Sequence, residues 1–230
     1  MCSKKLIKEY VLDLVYSKEQ ILRLAECNKE NPNYYTYLNI LEELIQEHGD
    51  KIIPKAYVVT KEKNDYMKEG SFGVISCLVT LGSDIDKLVK ESFDCFDYLE
   101  ALFLNGFGDS VLFESSNMLY KRLKEDVKDE GLYMSTRQEP GDVNINMETQ
   151  KDIFNNIKSY FTVDVKITEG NMLNPKKSLL YFYNLLDKDV SNGVDHSCER
   201  CSNLNCVNRM KHSFVSGEIS ECNFRKINKG

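Results

Sequence analysis

The feature that most limits the fold of this chain is a long stretch of helical pattern at residues 84–131. Apolar residues recur there at helical spacing, from DIDKLV to LKEDVK. A fold that alternates one strand with one helix does not accommodate such a run, so the pattern favours the α+β class. Gly106 and Gly108 lie inside the run and predict either a break between two helices or a place of close helix packing.

Shorter segments on both sides of this run show strand and helix patterns. An apolar alternation at 10–16 predicts a strand, and Ser17 followed by Gln20 is typical of a capping box at a helix start. Two apolar segments separated by a polar turn, 52–63 and 71–82, predict a pair of strands. The other predicted elements are helices at 18–27, 35–49 and 147–161, strands at 164–168 and 178–185, and a strand that leads into a loop at 132–142.

Composition and missing motifs exclude several classes of protein. The net charge of -6 argues against a nucleic-acid partner, because phosphate binding depends on clustered Lys and Arg. The chain has no G-x-G-x-x-G, P-loop or G-x-S-x-G motif, which disfavours nucleotide-binding folds and serine hydrolases. The most apolar window, 71–82, is too short to span a bilayer, and the N-terminal residues lack a signal-peptide core. We therefore expect a cytoplasmic protein with reduced thiols and no membrane partner.

The C-terminal part of the chain is rich in cysteine. The composition changes near Asp187, which predicts one domain at 1–186 and a small tail module at 187–230. Three cysteines are spaced C-x2-C-x4-C and a fourth follows after 15 residues; they are Cys198, Cys201, Cys206 and Cys222. Four thiolates hold zinc or a 4Fe-4S cluster, although the second C-x2-C pair of a zinc ribbon is missing. Iron–sulfur, zinc, and redox or unliganded thiols are therefore three open alternatives.

The loop TRQEPGD at 136–142 is a candidate binding loop. Arg137 ends a predicted strand, and Pro140 and Gly141 predict a tight turn. A guanidinium beside the backbone of a glycine turn binds carboxylates through paired hydrogen bonds. The alternative is an ordinary surface turn with a solvated arginine.

Several segments, taken in their order along the chain, resemble the activation domain of cobalamin-dependent methionine synthase in its compact, free-standing bacterial form. They are VTLG before the long helix, Glu114 in VLFES, the R-x-x-P-G loop at Arg137, Gln150 after that loop, and the turn TEGNMLNPKKS at 168–178. The resemblance covers most of the chain. It implies an antiparallel sheet with long central helices, to which this chain adds the cysteine-rich tail.

The resemblance also implies a function. Cobalamin methyltransferases cycle through cob(I)alamin, and its oxidation to cob(II)alamin inactivates them. Recovery needs one electron and a methyl group from S-adenosylmethionine, which the activation domain binds and presents to the corrinoid. The partners implied are a separate cobalamin-binding methyltransferase and an electron donor. An iron–sulfur cluster on the tail cysteines would suit the electron's path.

In such a domain, Arg137 is expected to pair with the carboxylate of S-adenosylmethionine, and the backbone at Pro140 and Gly141 to line its site. Glu114 would face the positively charged end of the donor. The family has a tyrosine where this chain has Asp142, so an aromatic platform becomes a carboxylate that suits ribose hydroxyls or an amine. A second hypothesis follows from this difference: the same fold without donor binding, acting as a metal-containing docking or sensor module.

Overall fold

The structure is a computed structural model that describes residues 6–62, 67–142, 144–190 and Asp195. Its elements in chain order are β1 (Ile7–Val11), α1 (Lys18–Leu24), α2 (Tyr34–His48), β2 (Lys55–Lys61), β3 (Gly73–Thr80), α3 (Asp84–Asp94), α4 (Tyr98–Lys128), β4 (Tyr133–Met134), α5 (Thr149–Lys158), β5 (Lys166–Ile167), β6 (Leu173–Asn174) and β7 (Ser178–Leu186). This order of helices and strands confirms the α+β class.

In the described part of the chain, β1, β2, β3, β7 and β4 form one sheet in that order, and every neighbouring pair is antiparallel. The expected pairing of β2 with β3 is confirmed, with Val58 opposite Cys77. Cys77 also lies opposite Tyr181 of β7. β3 is buried along its whole length because it has a strand on each side and helices on both faces. The expected antiparallel sheet with long central helices is therefore confirmed.

The two faces of the sheet carry different helices. α4, with α1 and α2, covers one face in the larger apolar core, and α5 covers the other through Ile153 and Ile157. Successive side chains of a strand point to opposite faces. Tyr181 and Tyr183 of β7 accordingly lie in the α4 core, whereas Phe182 lies in the α5 core.

The predicted helical run at 84–131 is broken at Phe96, between α3 and α4. Phe96 has a φ of 63°, in the left-handed region that continues no right-handed helix. Asp97 then caps α4, and its carboxylate accepts a hydrogen bond from the backbone N–H of Glu100 at 3.0 Å. The break therefore comes from a non-glycine residue with positive φ followed by an N-cap.

Gly106 and Gly108 lie inside α4 at places of close packing, which was the second of the two alternatives. A Cβ added at Gly106 would lie 3.2 Å from Leu24 Cδ1 of α1. One added at Gly108 would lie 3.0 Å from Ile85 Cγ1 of α3 and 3.1 Å from Lys177 Cε. The missing side chains thus let two other helices approach the backbone of α4 closely.

The start of α1 uses only half of the predicted capping box. Ser17 caps the helix and accepts from the backbone N–H of Gln20 at 3.3 Å. Ser110 of α4 takes the place of the reciprocal bond, because its hydroxyl accepts from the N–H of Ser17 at 2.8 Å and donates to Gln20 Oε1 at 3.3 Å. This contact fastens the start of α1 to the middle of α4.

One predicted strand has the wrong limits: the strand expected at 10–16 is β1 at Ile7–Val11, where residues pair in register with β2. The segment 132–142, expected to be a strand leading into a loop, begins with β4, and Gln138 then forms an isolated bridge with Phe182. The residues between them therefore form an irregular edge beside β7, and this edge carries the candidate site.

Candidate functional site

The loop that carries Arg137 runs along β7 after the end of β4. Gln138 and Phe182 exchange backbone hydrogen bonds of 3.0 Å in both directions. The Gln138 side chain accepts from Asn184 Nδ2 at 3.0 Å. This pairing fixes the loop at the sheet edge, and Arg137 extends toward Ser116 on the α4 side.

The Arg137 side chain is buried, with an exposed fraction of 4%. Its Nη1 donates to Ser116 Oγ at 2.9 Å, and its guanidinium carbon lies 5.3 Å from the centre of the Tyr181 ring. Its Nε lies 2.9 Å from Glu139 Oε1. The alternative of a solvated arginine in an ordinary surface turn is therefore wrong.

Asp195 reaches the same arginine from a distant part of the sequence. Its backbone carbonyl accepts from the Arg137 N–H at 3.1 Å, and its Oδ2 lies 3.8 Å from Arg137 Nη1. Its Oδ1 accepts from the Tyr183 hydroxyl at 2.6 Å. Its side chain has an exposed fraction of 6%. Asp195 thus completes a buried charge cluster in which Arg137 faces two carboxylates.

Hydroxyl groups extend this cluster into the α4 core. Ser116 Oγ donates to Tyr181 Oη at 3.0 Å, so Ser116 links Arg137 to that tyrosine. The rings of Tyr181 and Tyr183 meet edge to face with their centres 5.6 Å apart. A polar network of this kind in an apolar core holds its members in fixed positions when their hydrogen bonds are made.

Burial sets the charge states in this network. It raises the pKa of Tyr181, Tyr183 and Cys77 well above their usual values, and Asp195 adds to the effect. For Arg137, burial favours a lower pKa, but Glu139 and Asp195 outweigh it and the pKa is raised. The arginine therefore stays cationic, and the phenols and the thiol stay neutral at physiological pH.

The turn after Arg137 is closed by Asp142. Its carboxylate accepts from the Glu139 N–H at 2.9 Å, and the Gly141 N–H donates to the Ile145 carbonyl at 3.1 Å. Gly141 has a φ of 90°, which requires glycine, and Asp142 is exposed. The aspartate that replaces the family's tyrosine thus has a structural role in this turn, which the sequence comparison missed.

Glu114 lies half-buried on α4, two residues before Ser116. Its Oε2 is 3.5 Å from Asn117 Nδ2. Residues two apart point to different sides of a helix, so Glu114 does not share the side from which Ser116 reaches Arg137. Its expected role toward the positive end of a donor stays a prediction.

Arg137 Nε and Gln150 Oε1 are buried polar atoms near this loop that lack a hydrogen-bond partner among the described residues. Arg137 Nε is close to Glu139, but the pair lacks hydrogen-bond geometry. Gln150 lies three residues after Met147, and the Met147 side chain packs against Gly141 of the loop: its Cε would lie 2.9 Å from a Cβ added there. An unpaired buried donor is costly, and a ligand carboxylate would satisfy it at Arg137.

The predicted metal ligands Cys198, Cys201, Cys206 and Cys222 lie outside the described residues. Within the ranges given above, no group of three His, Cys, Asp or Glu side chains is arranged to hold a metal ion. Cys27 and Cys77 are buried free thiols, and Cys95 is exposed. The iron–sulfur, zinc and thiol alternatives for the tail, and the division at 186/187, stay predictions.

Four members of the charge and hydroxyl network were missed by the sequence prediction: Ser116, Tyr181, Tyr183 and Asp195. Tyr181 and Tyr183 stand two apart in a strand pattern, which places them on one face of the sheet. Ser115 and Ser116 interrupt the apolar side of a long helix, a signal of buried polar contacts. No local pattern points to Asp195.

Comparison with known proteins concerns the fold. Among 13 similar chains in solved structures is the MetH reactivation domain bound to AdoHcy. The match has a TM-score of 0.61 and 10% sequence identity, and it covers 85% of this chain and 81% of that one. No protein-family model and no curated protein matches the sequence. In the described part of the chain, no helix is long and apolar enough to cross a membrane. The chain thus has the fold of the MetH reactivation domain, as its resemblance implied.

Proposed function

We propose that this chain binds S-adenosylmethionine at the Arg137 loop and supports the reductive methylation of cob(II)alamin on a separate corrinoid methyltransferase. The observation that carries the proposal is a buried arginine with an unsatisfied Nε, beside the Pro140–Gly141 turn. This arginine belongs to a chain whose fold is similar to that of the MetH reactivation domain, which was solved with AdoHcy bound. AdoHcy and S-adenosylmethionine share the amino-acid carboxylate that a guanidinium recognises.

Each residue of the loop has a separate part in this proposal. Arg137 binds the carboxylate of the donor through Nε, which lies 2.9 Å from Glu139 Oε1 but without hydrogen-bond geometry. Gly141 gives the turn its positive φ, which brings the loop backbone alongside the proposed ligand. Asp142 keeps the turn closed and offers its exposed carboxylate to ribose hydroxyls. For Glu114 the proposal keeps the role that the resemblance implies, a carboxylate that faces the positive end of the donor.

The reaction proposed for the complex of this chain with the corrinoid methyltransferase has two steps. One electron from a donor protein reduces cob(II)alamin to cob(I)alamin. The cob(I)alamin then takes the methyl group from the sulfonium, the carbon–sulfur bond breaks, and S-adenosylhomocysteine leaves as a neutral thioether. This chain binds and orients the methyl donor for that transfer. If the tail cysteines hold an iron–sulfur cluster, that cluster supplies the electron.

Isothermal titration calorimetry with S-adenosylmethionine tests the binding step. We expect saturable binding to the wild-type chain and none to Arg137→Ala at millimolar ligand. Asp126→Asn is a matched control, because Asp126 also accepts from a tyrosine hydroxyl and pairs with a cation, at Tyr10 and Lys8. Wild-type protein that binds no donor, or Arg137→Ala protein that binds it equally well, would contradict the proposal.

A second assay tests the reaction. The protein, S-adenosylmethionine and a reductant are mixed with an oxidised corrinoid methyltransferase, and methylcobalamin is followed by its absorbance. We expect methylcobalamin to form with wild-type protein and to be lost with Arg137→Ala. A partner that recovers equally without this chain would refute the role.

One observation favours a second function. Glu139 and Asp195 already neutralise Arg137, and its side chain is nearly inaccessible as it stands. A docking or sensor module that has lost donor binding would keep such an arginine as a structural group. Calorimetry decides between the two, because this second function predicts no heat of binding in the wild type or in any variant of the cluster.

A further inference from the structure

We propose that Asp195 is an internal occupant of the Arg137 carboxylate site and competes with the methyl donor for it. This inference rests on the proposed function. It adds a regulation: the donor binds when the Asp195 segment leaves Arg137. The contact between these two residues, 58 positions apart in the sequence, is the juxtaposition that carries the proposal.

Asp195 blocks the face of Arg137 that a ligand would need. Its backbone and its side chain both contact the arginine, and with Asp195 in place the Arg137 side chain is 4% exposed. A ligand carboxylate that reaches Nε and Nη1 at hydrogen-bond distance takes the place of the Glu139 carboxylate, 2.9 Å from Nε, and of the Asp195 carboxylate, 3.8 Å from Nη1. Glu139 is 37% exposed and can turn to solvent, so the donor binds Arg137 once the buried Asp195 moves.

Asp195 holds Arg137 less tightly than a ligand carboxylate would. Its Oδ2 stands 3.8 Å from Nη1, beyond hydrogen-bond distance, and its short side-chain bond is made to Tyr183 instead. Arg137 Nε has no hydrogen-bond partner among the described residues. A ligand carboxylate can make two charge-assisted hydrogen bonds to the guanidinium, which Asp195 does not make. At sufficient ligand concentration, the ligand therefore displaces Asp195 from Arg137.

Charge also makes the two occupants exclusive. Glu139 is 37% exposed, so water stabilises its carboxylate, whereas Asp195 is buried. A ligand carboxylate beside both would place three negative groups around one buried cation, which is unfavourable at low local dielectric. Asp195 is the carboxylate that must leave.

The exchange connects the donor site to the cysteine tail. Asp195 precedes Cys198 by three positions in the sequence, so a change at the tail cysteines acts close to Asp195 along the chain. Coupling between two sites is reciprocal. If one state of the tail draws Asp195 away from Arg137, that state binds the donor more tightly. Donor binding then shifts the tail toward that state by the same factor.

Calorimetry on full-length variants tests the competition. Asp195→Asn removes the charge and keeps an oxygen that accepts from Tyr183. We expect it to bind S-adenosylmethionine about five-fold or more tightly than wild type, at the lower end of usual couplings between sites. Tyr183→Phe removes the hydrogen bond that holds Asp195 and leaves all charges in place, so we expect a smaller increase. Asp126 lies on α4 and has similar partners, Tyr10 and Lys8, on β1, so Asp126→Asn is expected to bind like wild type.

The outcomes separate this inference from the proposed function. Tighter binding by both Asp195→Asn and Tyr183→Phe supports the competition. If the wild type binds the donor and both variants bind it equally well or more weakly, the competition is overturned, because Asp195 then has a structural role. The proposed function is left standing by that result. Absence of binding in the wild type and in folded Asp195→Asn, checked by circular dichroism, overturns both.

Discussion

Replacing Arg137 by methionine tests the buried charge cluster that organises this site. Methionine keeps an unbranched apolar side chain that can still pack on Tyr181, and it removes the guanidinium. The change leaves the Asp195 carboxylate, 6% exposed, without its cation, and it removes the donor to Ser116 Oγ. Glu139 is exposed enough to turn to water, so its lost pair contributes little.

The magnitude follows from what remains buried. Removal of one member of a buried ion pair lowers stability by about 3–5 kcal/mol, because the other charge stays without compensation. Arg137 and Asp195 are 3.8 Å apart without a side-chain hydrogen bond, so we expect the lower end. Arg137→Met should lower the free energy of unfolding by about 3 kcal/mol, a large part of the roughly 5–15 kcal/mol typical of a folded domain.

Urea unfolding followed by circular dichroism measures this loss, and a double-mutant cycle assigns it to the pair. In the Arg137→Met background, Asp195→Asn removes the uncompensated charge, so we expect the double variant to recover about 1 kcal/mol or more. A loss below about 1 kcal/mol in Arg137→Met, or effects that add within about 0.5 kcal/mol, would refute the buried pair as described.

Three further predictions concern the surrounding structure. Ser116→Ala leaves Arg137 and Tyr181 without their shared hydrogen-bond partner, and in a urea titration it should lower the free energy of unfolding by about 1–3 kcal/mol. Ser115→Ala is the control: the Ser115 Oγ has no partner among the described residues, so this variant should be nearly neutral in the same titration. Gly108→Val should lower the melting temperature through about 1–3 kcal/mol of overpacking, because its Cβ would lie 3.0 Å from a buried isoleucine; an unchanged melting temperature would contradict this close packing. Stability should fall above pH 10. Burial and then Asp126 raise the pKa of Tyr10 to about 12, so the folded state favours the neutral phenol, and this contribution is present below pH 10 and lost as the pH rises toward 12. Urea titrations from pH 8 to 11 check this, and Tyr10→Phe should weaken the pH dependence; a constant stability over that range would refute it.

Local sequence patterns predicted which helices and strands are present better than they predicted the residues at which these elements begin and end. The apolar spacing that marks α2, α4 and β3 is a property of neighbouring residues, so it is visible in the sequence. The break at Phe96 was not predicted, because no glycine or proline marks it. Its φ of 63° belongs to the end of α3, where the Asp97 N–H donates to the Ser92 carbonyl at 2.9 Å. Gly106 and Gly108 carried the usual signal of a break, but tertiary contacts gave them another role.

The candidate site was predicted in part for the same reason. Arg137 and Gly141 belong to one short loop, and their residue types alone indicate a turn beside a cation. Ser116 and Asp195 reach Arg137 from 21 residues before it and 58 residues after it, and only the folded chain brings them together. The burial of Arg137 was missed because it depends on these distant residues.

A crystal structure of the chain with S-adenosylhomocysteine would show directly whether the donor binds at Arg137. We expect the ligand carboxylate within hydrogen-bond distance of Arg137 Nε and Nη1, and the Asp195 carboxylate away from its place 3.8 Å from Nη1. A ligand bound elsewhere on the molecule would contradict the proposed site. A ligand carboxylate at Arg137 with Asp195 still in place would contradict the competition.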